Sequence, residues 1–172
     1  MQINFQKTKV VTTIAILTAL SVVFSLFFTF RVGNMLKFSP VFIIIALAAK
    51  SYGVIGATLV AVASDFIQYL MFPSNGFSIG IFVSNVLLGI IFGFCFYGEI
   101  NFKKILCAAT LSQTVCTVLI PSVFWVYIEK WYPTISSIIY WRLLQAVIMF
   151  FIMIILFYII FIKSNFLKKI GF

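Results

Sequence analysis

The sequence predicts an all-α integral membrane protein: one bundle of six transmembrane helices with both termini cytoplasmic. Three observations carry this. Of 172 residues, 64% are hydrophobic and 9% are charged, against about 45–50% and about 25% in a soluble domain. The mean hydropathy is +1.23, and a chain this apolar cannot coat itself with polar surface in water. The apolar residues also fall into runs suited to a bilayer core of about 30 Å, and the bases are shared unequally between the links.

The elements follow in order, as a single domain over 1–172. Lys7 and Lys9 precede an apolar run over 10–30. That run exceeds a cleavable leader's apolar stretch of about 7–15 residues, so it reads as a retained first span. A polar link, Arg31 to Pro40, ends at a proline suited to a helix N-terminus. The next apolar stretch is too long for one span and is punctuated by Lys50-Ser51-Tyr52-Gly53, which splits it into spans over 40–50 and 53–71. Phe72-Pro73-Ser74-Asn75-Gly76 marks a turn. Span four covers 77–97, span five 105–128 and span six 135–162. Placing the termini inside puts eight bases on the inner side: Lys7, Lys9, Lys50, Lys103, Lys104, Lys163, Lys168 and Lys169. The outer links hold three, Arg31, Lys37 and Lys130, and the positive-inside rule selects this orientation.

The rare residues exclude several functions. There is no His, so no imidazole base, relay or zinc ligand exists. Asp65, Glu99 and Glu129 are far apart in sequence, and Cys95, Cys107 and Cys116 lack metal-binding spacing; no metal and no cofactor are expected. A net charge of +9 reads as topology rather than nucleic-acid binding, since the bases flank the spans. No G-x-x-x-x-G-K-[ST] loop is present, so any ATP chemistry belongs to another chain.

Ionisable and amide groups at membrane depth are costly and mark function. Asp65, Gln68 and Tyr69 share a face of span three. Ser84 and Asn85 lie in span four, Trp125 in span five, Arg142 and Gln145 in span six, and Arg31, Asn34 and Lys37 in the first link. The topology places all of these toward the outer side, a pocket suited to a planar, anionic small molecule: aromatics to stack and Arg to clamp a carboxylate. The same residues also fit an Asp65–Arg142 structural ion pair, solvated link charges and an interface position for Trp125. Small residues recur at helical spacing as Ala15-x-x-x-Ala19, Ala57-x-x-x-Ala61 and Gly89-x-x-x-Gly93, a spacing that lets another helix approach closely.

These motifs resemble the substrate-binding S components of energy-coupling factor (ECF) vitamin transporters, most closely the folate-type group, over nearly the whole chain. Arg31-Val-Gly-Asn-Met-Leu-Lys37-Phe-Ser is similar to that group's R-I-G-x-x-x-K-I-S. Ile45-Ala46-Leu47-Ala48, Tyr52-Gly53-Val-Ile-Gly56-Ala57, Ala63-Ser64-Asp65 and Phe72-Pro73 resemble its I-A-L-A, F-G-P-x-x-G-A, A-L-A-D and F-P. Leu88-Gly89-Ile90-Ile91-Phe92-Gly93 resembles R-G-L-I-Y-G, and Arg142-Leu-Leu-Gln145 with Ile148-Met149 resembles the final-helix R-x-x-K/Q…I-M. The resemblance implies a six-helix S component in a prokaryotic plasma membrane, with a vitamin site near the outer face gated by the first link. It implies docking, through Ala15 and Ala19, on a transmembrane T subunit served by two ABC ATPases. Folate is the first expected substrate. The chain departs from the pattern at Phe77-Ser-Ile-Gly, at Cys116-Thr117-Val and at Leu88, which leaves another anionic or heteroaromatic vitamin open. A ligand-free membrane scaffold and a small intramembrane enzyme are the competing classes; the second lacks a base.

Overall fold

In the computed structural model the described residues are 5–32, 36–71, 78–130 and 134–163. Five helices are long and apolar enough to cross a membrane. In lipid, a helix satisfies its own backbone groups without water, which is why these runs adopt it. Helix α1 is Phe5–Phe27. The span expected over 10–30 therefore ends earlier than read, because Phe30–Val32 (β1) is extended and pairs antiparallel with Leu36–Phe38 (β2). The sequence pattern gives a polar link here and no sign of the pairing.

Helix α2, Val41–Met71, contains a break at Gly53, whose φ of 66° and ψ of −151° are non-helical. That region is essentially restricted to glycine. A straight helix of 31 residues would be about 46 Å long, too long for one crossing. Ile44, Ala48 and Val60 share one buried cluster, packed by Ile14, Leu17 and Phe24 of α1. In a straight helix Ala48 and Val60 would stand about 18 Å apart, so the chain doubles back at Gly53. The break falls where the Lys50–Gly53 punctuation placed it.

Helix α3 is Ile79–Phe96, capped by the Ser78 hydroxyl. Helix α4, Phe102–Ile128, widens to π-type turns over Ser112–Leu119 and Phe124–Ile128. Pro121 lies between them; it has no N–H and crowds the preceding turn, and a widened turn absorbs both effects. Helix α5 is Ile135–Phe157, continued by wider turns to Lys163. Successive helices pack as neighbours, α1 on α2, α2 on α3, α3 on α4 and α4 on α5, with β2 against α5.

Close backbone approach and aromatic packing fix the core. A Cβ on Gly89 would lie 2.7 Å from the Thr58 Cα, and one on Gly93 would lie 2.3 Å from the Val54 Cα. The Gly89/Gly93 and Ala57/Ala61 spacings thus serve contact between α2 and α3; Ala57 and Ala61 are fully buried. Near the end of α5, Phe157 meets Phe42, Phe92 and Phe96 edge-on at centroid distances of 5.5, 5.5 and 4.9 Å. Such pairs contribute about 0.5–1.5 kcal/mol each beyond area. This rigid base leaves the other end of the bundle, beside the hairpin, for polar groups.

Candidate functional site

The chain direction of each helix decides which residues meet. Helix α1 ends at the hairpin end, α2 both starts and finishes there, α3 starts there, α4 finishes there and α5 starts there. Asp65, Gln68 and Tyr69 lie in the last two turns of α2, Trp125 in the last of α4, and Arg142 and Gln145 near the start of α5. Ser84 and Asn85 lie in the second turn of α3. By chain direction all eight fall toward the same end of the bundle.

Within that end the contacts are uneven. Arg142 is 7% exposed and its guanidinium carbon sits 4.0 Å from the centroid of the Trp125 ring, itself 5% exposed. Buried this deeply, a cation over an indole face gains about 2 kcal/mol or more. Arg142 Nη1 donates to Gln145 Oε1 at 3.4 Å, the i to i+3 relation seen in the sequence. Gln68 faces α1 instead: Ser25 Oγ donates to its Oε1, and its Nε2 donates to the Ser64 carbonyl at 3.1 Å. The Ser84 hydroxyl donates to the Gly80 carbonyl of its own helix at 2.7 Å. Asp65, Tyr69 and Asn85 are half-buried. Arg31 and Lys37 are register partners across the hairpin, while Asn34 lies outside the described residues.

Sequence reasoning missed Ser78, Glu129 and Ser25. The Trp125 Nε1 donates to Ser78 Oγ at 3.1 Å, and Ser78 Oγ donates to Glu129 Oε1 at 2.8 Å. In the sequence Glu129 stands only as one of three widely separated acids. The available signal was its place four residues after Trp125, one helical turn on. Ser25 could be found as the polar residue one turn from the end of α1.

A buried guanidinium over an indole, with an adjacent amide, can bind an anionic, planar molecule; these three groups offer no nucleophile or base. Among the described residues no cluster of acids and thiols could hold a metal. Ala15 and Ala19 sit one turn apart on α1 and are exposed, unlike the buried Ala57 and Ala61.

No curated relative matches the sequence. Among solved structures the chain is similar to one described as the crystal structure of FolT bound with folic acid. The TM-score is 0.82 and the identity 26%, over 91% of this chain and 95% of that one. The family model described as "ECF transporter, substrate-specific component" matches residues 9–164. This chain, apolar throughout and carrying a polar site at one end of its bundle, belongs to the family of substrate-specific components of ECF transporters, multi-pass membrane subunits that bind a transported substrate and are not enzymes.

Proposed function

We propose that the protein is a high-affinity vitamin-binding S component whose substrate is folate or a related anionic vitamin, with uptake powered by ATP hydrolysis on partner subunits. The observation that carries this is the buried Arg142–Trp125 stack at the end of a bundle similar to folic-acid-bound FolT. A stacked guanidinium presents its remaining N–H groups to a carboxylate in a fixed plane, and folate carries both carboxylates and a heteroaromatic ring. The substrate set is Arg31, Asn34, Lys37, Asp65, Gln68, Tyr69, Ser84, Asn85, Trp125, Arg142 and Gln145.

In this reading the two limbs of α2 count as separate crossings, giving six spans and cytoplasmic termini. The excess of bases at the Gly53 end supports that orientation. The membrane is then a prokaryotic plasma membrane. The exposed Ala15 and Ala19 face of α1 receives the T subunit, which couples to two ABC ATPases. Isothermal titration of the chain alone, purified in detergent, with folic acid tests the reading. Saturable one-to-one binding is expected, and no heat with folic acid or with any other anionic vitamin overturns it.

A further inference from the structure

The first turn of α3 is held by a residue that its own cap does not require. Ser78 already caps the helix: the Ile81 N–H donates to its Oγ at 3.3 Å. Yet Glu129, from the end of α4, accepts from the Ser78 hydroxyl at 2.8 Å and from the Gly80 N–H at 3.2 Å through one oxygen, Oε1. A serine hydroxyl has one proton and two lone pairs. Here the proton goes to Glu129, one lone pair takes Ile81 N–H, and the other takes the Trp125 indole N–H at 3.1 Å. With its proton committed, the hydroxyl cannot rotate, and its second lone pair has one direction. That direction fixes the edge of the Trp125 ring whose face carries Arg142 at 4.0 Å. Gly80 makes the reach possible. A Cβ there would lie 2.6 Å from the Phe124 Cβ and 3.7 Å from the Pro121 Cα, so only glycine lets α3 start this close to α4.

We infer that Ser78 and Glu129 are positioning residues for the substrate site, acting through Trp125. The inference rests on the Trp125–Arg142 stack belonging to that site. Glu129 holds the Ser78 hydroxyl, Ser78 holds the indole, and the indole sets the plane in which Arg142 meets an anion. The clasp also ties α3 to α4.

The test uses the full chain in detergent, labelled with 15N at its three tryptophans, with the Trp125 indole N–H signal assigned by Trp125→Phe. Two readouts are taken, that signal and the dissociation constant for folic acid. Ser78→Ala is expected to shift the Trp125 signal toward that of a weaker hydrogen bond and to weaken binding about tenfold, the ratio that corresponds to about 1.4 kcal/mol. Glu129→Ala should do the same to a smaller extent. Ser78→Thr, which keeps the hydroxyl, should restore both, and Thr114→Ala, an exposed residue bonded to its own helix, should change neither. An unmoved signal in Ser78→Ala overturns the inference, as does a moved signal with unchanged affinity. If the unaltered chain binds neither folic acid nor any other anionic vitamin, the substrate reading fails separately, and the clasp stands or falls on the Trp125 signal alone.

Discussion

Replacing Arg142 by Ala perturbs the site at the group with the most to lose. The side chain is 7% exposed and lies 4.0 Å above the centroid of Trp125. A charge-assisted hydrogen bond to a bound carboxylate contributes about 1.5–3 kcal/mol, so Arg142→Ala should weaken folic acid binding by about 10–150-fold. Loss of the buried cation–π contact costs stability as well, about 2 kcal/mol or more, which a melting curve in detergent reads separately from affinity. Arg142→Lys keeps the charge and loses the planar fork, so its affinity should fall between the two. Isothermal titration of each variant, with its melting temperature measured alongside, gives the comparison. Unchanged affinity in both Arg142→Ala and Arg31→Ala would refute the anion-clamp reasoning. A lower melting temperature with wild-type affinity in Arg142→Ala would reduce Arg142 to a packing group.

Three further outcomes are expected. Gly53→Ala places a side chain at φ 66°, with its Cβ 3.1 Å from the Tyr97 Cδ2; the strain of about 1–3 kcal/mol should lower the melting temperature in detergent, and an unchanged temperature would contradict the turn-back of α2. Gly93→Leu drives a side chain into the Val54 backbone and should abolish the monodisperse folded protein on size-exclusion chromatography; wild-type elution and yield would mean that α2 and α3 do not approach as closely as described. Ala15→Trp, on the exposed face of α1, should leave vitamin binding by the isolated chain unchanged and block uptake in cells that contain the partner subunits; preserved uptake would remove this face from the docking surface.

Much of the architecture was legible because the solvent is lipid. Apolar runs and polar links map directly onto helices and turns, and Gly53 announced the break in α2 through its polar neighbours Lys50 and Ser51. The hairpin was not legible as a pair of strands. Phe30-Arg31-Val32 and Leu36-Lys37-Phe38 each alternate, but three residues are too few for a period-two signal to stand out beside a 23-residue helix. The widened turns of α4 depend on how carbonyls adjust around Pro121, and residue type alone does not fix that. At the site, the Arg142–Gln145 pair followed from helical spacing. The link from Trp125 to Ser78 joins residues 47 apart, and the one from Ser78 to Glu129 joins residues 51 apart; only the close packing at Gly80 creates them. Ser25 with Gln68 is a similar case, a bond between α1 and α2 across 43 residues. Helical periodicity finds neighbours within a helix, and contacts between helices need the packing itself.

The most direct measurement of the central claim is mass spectrometry of the small molecules released when the chain, purified alone in mild detergent from its producing cells, is denatured. The account predicts folate or a reduced relative at near-stoichiometric amount, and its loss from Arg142→Ala. Release of nothing, together with no binding across a panel of anionic and heteroaromatic vitamins, would contradict it.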